Sequence, residues 1–248
     1  MSLRARIDEA RLALMLLTRL PAGRLTGTAP PLGASAWAWP LVGACVGAIA
    51  ALVFAAAHGL SLSPAICALL ASGAAILVTG GLHEDGLADL ADSAGGRDRA
   101  HRLEIMRDSR IGSFGMLALA LVLALRVAAL AQIATPETVG VALIAVAMAS
   151  RAMMALWARL LPPARPDGMG HSTAQPPRGA LGVALALAAL ALATLGGAGL
   201  GVALAVGIAA TLVAGHARVR LGGQTGDVLG AIQILSETCG LLACAALL

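Results

Sequence analysis

Gly80-Gly81-Leu82-His83-Glu84-Asp85-Gly86-Leu87-Ala88-Asp89-Leu90-Ala91-Asp92, followed further on by Arg107-Asp108-Ser109-Arg110-Ile111-Gly112-Ser113-Phe114-Gly115, is the stretch on which the reading of the chain turns. Residues 80–115 hold seven of the thirteen carboxylates and five arginines, and apolar runs lie on both sides. Asp85, Asp89 and Asp92 recur at i, i+4 and i+7, so a helix brings them to one face. Glu84 falls about 100° away on the same helix. Three carboxylates on one face repel one another unless a cation sits between them.

The composition outside this stretch excludes an ordinary soluble chain. Of 248 residues, 59% are hydrophobic and 12% charged, with a mean hydropathy of +0.88. A soluble domain carries about 25% charged residues. The expected fold class is all-α, a polytopic membrane helical bundle. Aromatics make up 2% and glycines number thirty, so helices are expected to pack closely through small residues. Cys45, Cys67, Cys239 and Cys244 lie in apolar runs without CxxC spacing and read as small buried residues.

Working outward, residues 3–20 read as an amphipathic surface helix and 22–36 as a Gly/Pro/Thr-rich loop. Trp37 and Trp39 stand where interfacial anchors belong. Seven apolar stretches are candidate spans: 40–57, 64–81, 113–133, 138–157, 179–196, 198–215 and 228–247. With the N-terminus inside, the inner segments 1–39, 82–112, 158–178 and 216–227 hold fifteen arginines and the outer segments none. That split predicts a multi-pass membrane protein with 80–115 on the cytoplasmic side. It also explains the net charge of +4 without a nucleic-acid partner. Residues 1–248 are expected to form one membrane-embedded catalytic domain.

Carboxylates are hard ligands, and a set of them at a membrane edge suits Mg²⁺ or Mn²⁺, which also takes waters and substrate phosphates. The candidate metal ligands are Glu84, Asp85, Asp89 and Asp92; the catalytic candidates add His83 as a base or phosphate donor. A solvated acidic helix end is the bland alternative. Arg107 and Arg110, flanking Asp108-Ser109, are candidates for phosphate contact. Arg97 and Arg99 read as topology signals. Two other inner segments carry candidate substrate contacts: Arg165 in a Pro/Gly-rich loop, and Gln224, Thr225 and Asp227 in Gly222-Gly223-Gln224-Thr225-Gly226-Asp227, a natural anion nest or metal site. Glu237, deep in the last stretch, needs a partner, and Arg126 and Arg151 are the candidates.

These motifs resemble the cobalamin synthase family, the adenosylcobinamide-GDP ribazoletransferases. Thr79 to Asp92 resembles that family's acidic signature. Leu103-Glu-Ile-Met-Arg-Asp-Ser-Arg-Ile-Gly112 and Gly222 to Ala231 resemble its second and last motifs, and Thr18-Arg-Leu-Pro21 and Trp39-Pro-Leu-Val-Gly43 its N-terminal ones. Leu90, Ser93-Ala94 and Phe114 depart from the common pattern without touching a carboxylate. The resemblance implies an inner-membrane, Mg²⁺-dependent transferase joining adenosylcobinamide-GDP to α-ribazole, or its 5′-phosphate, with release of GMP. It also implies that Glu84, Asp85, Asp89 and Asp92 form the metal and catalytic site. The partners expected are these small molecules and membrane lipid; a homo-oligomer is compatible with the sequence. The alternatives are a CDP-alcohol-type phosphotransferase, which places its aspartates in a longer arrangement, and a cation transporter, which places acidic residues near mid-membrane.

Overall fold

The computed structural model describes residues 3–25 and 27–248; Thr26, in the loop at 22–36, lies outside them. Among the described residues every regular element is helical: α1 (Leu3–Leu17), α2 (Trp39–Gly59), α3 (Pro64–Thr79), α4 (Leu82–Asp92), α5 (Arg99–Ile105), α6 (Ser113–Ile133), α7 (Pro136–Leu160), α8 (Gly168–Thr173), α9 (Arg178–Ala193), α10 (Gly199–Leu221) and α11 (Gly226–Leu247). Helices satisfy their own backbone polar groups, which is what an apolar run in lipid requires.

All seven apolar stretches form helices, but not all reach spanning length. α2, α6, α7, α10 and α11 are long and apolar enough to cross a membrane. α3 and α9 have 16 residues each, a rise of about 24 Å against a hydrocarbon core of about 30 Å. The expected count of seven full spans is therefore not confirmed: five helices reach spanning length, or six spans if α3 and α4 count as one bent crossing. The bend there is 91°. Two consecutive left-handed glycines make it, Gly80 (φ 68°) and Gly81 (φ 71°), a conformation that glycine adopts without a Cβ penalty. The Gly80 and Gly81 N–H groups cap α3 by donating to Leu77 O and Ile76 O. α4 leaves at a right angle and is too short and too polar to cross by itself.

Small residues set the helix spacing. α2 lies against α7 through Gly43 and Gly47, four residues apart. A Cβ at Gly43 would stand 2.4 Å from Ala147 O, and one at Gly47 2.7 Å from Leu143 O. The backbones therefore touch, as small-residue motifs in lipid allow. α11 packs against α4, α6, α7 and α10. Its Glu237 is buried and accepts from Arg126 of α6 at 2.6 Å and from Arg151 of α7 at 3.3 Å. Ser150 and Gln233 also donate to Glu237. The expected partners of Glu237 are thus both engaged, and one carboxylate joins three helices.

At the N-terminus α1 buries Glu9, Ala13 and Leu17 and exposes Leu3 and Ile7. Glu9 accepts from Arg6 and from the Trp37 indole, each near 2.8 Å. Trp39 is not an interfacial anchor: it is 1% exposed, and its indole donates to Ser35. A 3₁₀ turn at Leu32–Ala38 replaces the end of the expected loop and carries both tryptophans toward α1. All four cysteines are free; Cys67 and Cys244 are buried, but Cys45 is exposed on α2.

The inner segments of the predicted topology meet at one end of the bundle. Arg19 N–H donates to Val78 O, joining the segment after α1 to the end of α3. Arg99 donates to Leu221 O and Ala164 O, tying α5 to the end of α10 and to the loop after α7. Gln224 N–H donates to Pro162 O and Ala164 N–H to Gln224 O. Segments far apart in sequence converge here.

Candidate active site

The acidic stretch folds locally for simple reasons. Gly81 sets the start of α4, and Glu84 and Asp85 fall in its first turn, where carboxylates complement the helix dipole. Gly86 then lets α11 come close: a Cβ there would stand 2.7 Å from Asp227 O and 2.9 Å from Asp227 Cα. The two acidic motifs therefore meet backbone to backbone. At the start of α11, Thr225 is the N-cap, its Oγ1 accepting from Val228 N–H. The same hydroxyl donates to Asp227 at 3.1 Å, and Arg165 donates to Asp227 at 3.1 Å. Thr225 is both a helix cap and a support for Asp227.

A cavity of about 660 Å³ opens beside α4. Glu84, Asp85 and Asp89 line it together with the turn of Arg107, Asp108, Ser109 and Arg110. Arg107 donates to both oxygens of Asp167 at 3.0 and 2.9 Å, and Arg110 to Asp108 at 2.7 Å. Both pairs are exposed, so each contributes little and is readily exchanged for a phosphate. Arg110 holds the Asp108 carboxyl below its usual range through direct hydrogen bonds. A smaller cavity of about 170 Å³ is lined by Arg165, Gln224, Thr225 and Asp227. Gln224 is buried and its amide donates to Gly170 O at 2.7 Å, fixing the first turn of α8.

The members of the acidic motif do not share one environment. Burial first, then the charges of Asp227, Asp85 and Asp92, push the Asp89 carboxyl up to about 7. The negative charge here is crowded, and Arg165, paired with Asp227, offsets only part of it. Glu84 lines the 660 Å³ cavity and also an apolar cavity of about 250 Å³ shared with Arg126. Its Oε2 is buried without a hydrogen-bond partner among the described residues. His83 is buried and does not border the large cavity. Asp92 is committed elsewhere: it accepts from Gly112 N–H at 2.7 Å and Gly115 N–H at 2.8 Å, capping α6 from another helix. A Cβ at either glycine would stand 2.4 Å from an Asp92 oxygen. The Gly112-x-x-Gly115 pattern is thus the seat of a carboxylate.

Carboxylate oxygens at Asp85, Asp89 and Asp227 suit a hard cation. Among the described residues no three His, Cys, Asp or Glu side chains close around one point. A cation at this edge would therefore complete its shell with water and ligand oxygens, the usual arrangement for Mg²⁺. The sequence alone did not single out two neighbours of the site. Arg19 borders the large cavity, and a Cβ at Gly80 would stand 2.4 Å from its Nε. Asp167 holds Arg107. Both come from outside the acidic stretch, Arg19 from Thr18-Arg19-Leu20-Pro21 and Asp167 from the Pro/Gly-rich inner loop that also carries Arg165.

Known proteins resemble this chain along most of its length. Residues 9–245 match the family described as Cobalamin-5-phosphate synthase. A relative from Bradyrhizobium diazoefficiens, named adenosylcobinamide-GDP ribazoletransferase, is 43% identical over 97% of this chain and 94% of its own. Proteins of the same name from Mesorhizobium japonicum (41% identical; 95% and 92% covered) and Azorhizobium caulinodans (44%; 90% and 89%) are similar along the same span. No solved structure matches. The match runs through the acidic helix, the arginine turn and the Asp227 cap alike, and the chain belongs to the Cobalamin-5-phosphate synthase family.

Proposed function

We propose that this chain is a Mg²⁺-dependent adenosylcobinamide-GDP ribazoletransferase. It joins adenosylcobinamide-GDP to α-ribazole, or its 5′-phosphate, to give adenosylcobalamin, or its 5′-phosphate, and GMP. The single observation that carries this reading is the cavity that Asp85 and Asp89 line together with the Arg107–Arg110 turn, with Asp227 packed on Gly86. A nucleotide diphosphate needs this pairing of hard ligands for a cation with guanidinium groups for phosphate oxygens.

Asp85, Asp89 and Asp227 would hold Mg²⁺, which when bound supplies neutralisation of the diphosphate charge. Arg107 and Arg110 leave Asp167 and Asp108 and bind phosphate oxygens in their place. Arg19 and Ser109 complete the cavity wall. A ribose hydroxyl of the acceptor forms a bond to the cobinamide-side phosphorus as the bond from that phosphorus to the bridging oxygen breaks. GMP leaves with that electron pair. The hydroxyl proton passes to a carboxylate on the cavity wall; Glu84, with its unpartnered Oε2, takes it. Arg165 and Thr225 hold Asp227 in place, Gln224 holds the first turn of α8 beside it, and Asp92 anchors the arginine turn through α6. The fifteen-to-none arginine distribution supports an inner-membrane protein with this site on the cytoplasmic face. The parts of the site come from all four inner segments, which supports one catalytic domain.

The test is GMP release in nanodiscs from adenosylcobinamide-GDP, α-ribazole and Mg²⁺. Asp85→Asn and Asp89→Asn should each lower kcat by about a hundredfold or more, the scale of losing a charge-stabilising group. Normal rates in both folded variants refute the metal role. A cation transporter would move metal into vesicles without releasing GMP.

A further inference from the structure

Asp85 borders a second cavity as well as the large one. This chamber of about 120 Å³ lies among α1, α2, α4, α7 and α11 and shares only Leu82 and Asp85 with the 660 Å³ cavity. It meets the 170 Å³ cavity through Met169, Gly226 and Asp227. Leu16, Trp39, Met154 and Leu229 form apolar walls. Three of its polar groups are engaged or serve the junctions. Thr173 donates to Met169 O and Gly170 O, and the two aspartates stand where the cavities join. The remaining group is His83, 2% exposed, whose Nε2 is buried with no hydrogen-bond partner among the described residues.

A buried ring nitrogen without a partner is costly, and such groups point to something that completes them. Apolar walls around one free polar atom fit a flat aromatic heterocycle with a ring nitrogen. A transfer between two large substrates also needs two chambers that meet where the bond changes. Asp85 is that meeting point. We propose that the chamber receives the aromatic base of the acceptor, with His83 Nε2 hydrogen-bonded to a base nitrogen. The ribose then extends along the Asp85–Asp227 edge and presents its hydroxyl to the diphosphate in the larger cavity. His83 is in this assignment a substrate-binding residue that selects the base. The assignment rests on the transferase reading for the identity of the acceptor.

The experiment is equilibrium dialysis of α-ribazole against the full chain in nanodiscs, together with the KM of each substrate in the GMP assay. Met154→Trp and Leu16→Trp fill the chamber from two helices. Both should weaken α-ribazole binding at least about tenfold and raise its KM in parallel, leaving the KM for adenosylcobinamide-GDP within about threefold. On the unaltered protein, which depends on no variant folding, free benzimidazole should displace α-ribazole and ribose should not. Unchanged α-ribazole affinity in folded variants, an equal rise in both KM values, or displacement by ribose rather than benzimidazole overturns the assignment. The two readings fail separately. Chamber-dependent α-ribazole binding without GMP release refutes the transferase and keeps the chamber. Normal GMP release by both variants at low α-ribazole refutes the chamber and keeps the transferase.

Discussion

Gly86→Ala tests the contact that brings the two acidic motifs together. The added Cβ would stand 2.7 Å from Asp227 O, where ordinary van der Waals contact begins at 3.4 Å, and 2.9 Å from Asp227 Cα. Both are backbone atoms of the first turn of α11, so no side chain can swing aside. α4 and α11 must separate by roughly 0.7 Å at this point. Overpacking of this kind costs about 1–3 kcal/mol. The larger effect is on geometry, because the displaced pair carries Asp85 and Asp89 on one side and Asp227 on the other. A misplacement near 1 Å can cost about a hundredfold in rate. The assay is GMP release at saturating substrates with a thermal melt in the same detergent. The expected result is a kcat lower by tenfold to a hundredfold, on the order of one to two factors of ten, with a melting temperature only modestly reduced. Gly73→Ala is the control: it also lies in a helix but would meet nothing within 4 Å. It should keep full activity and gain up to about 1 kcal/mol from helix propensity. Wild-type activity in folded Gly86→Ala would refute the claim that this close approach sets the site.

Three further predictions follow from other contacts. Glu237→Gln leaves Arg126 and Arg151 without their buried carboxylate and should cost about 3–5 kcal/mol, read as loss of folded protein in a detergent melt. Asp92→Asn replaces one of two accepting oxygens with an amide that faces an N–H group. Hydrogen exchange at Gly112 and Gly115 should accelerate, and stability should fall by about 1–3 kcal/mol. Asp89, whose carboxyl is raised from its ordinary 3.8 to about 7, keeps a proton in the folded state that the unfolded chain has already released. Without metal, stability should therefore fall as pH rises from about 4 to about 7 and then level off. Asp89 is half-buried, so screening reduces the loss to on the order of 1 kcal/mol. Thermal melts with chelator should show this slope, and Asp89→Asn should abolish it.

What could be read from the chain follows from the range of the forces involved. Helices were legible because apolar runs in lipid have almost no other solution. The Glu237 partners were legible because a buried carboxylate needs a cation and only two arginines lie in the spans. Asp92 was not. Its i+7 spacing puts it on the face of Asp85 and Asp89, yet the N–H groups that claim it belong to Gly112 and Gly115, reached only once α6 folds back on α4. Arg99 reads as a topology signal in sequence but clamps two distant carbonyls in the fold. Trp39 looked interfacial because it opens an apolar run, but the 3₁₀ turn before it and α1 above it bury the ring. The short lengths of α3 and α9 were hidden because hydropathy does not mark where a helix stops. A left-handed glycine stops the first, and the turn at Gly196–Ala198 follows the second.

The bond between Glu237 and two arginines also has a consequence for how the chain is made. Arg126 and Arg151 emerge from the ribosome long before Glu237, which lies in the last helix. Until α11 inserts, Arg126 and Arg151 lack the Glu237 carboxylate that accepts from both, and Glu84, which shares a cavity with Arg126, is the counter-charge already made. Insertion of α11 therefore acts as a closing key: it supplies the carboxylate that pairs with two arginines made long before it. A chain truncated before residue 237 should be held back and degraded, so quality control is written into the order in which the charges appear.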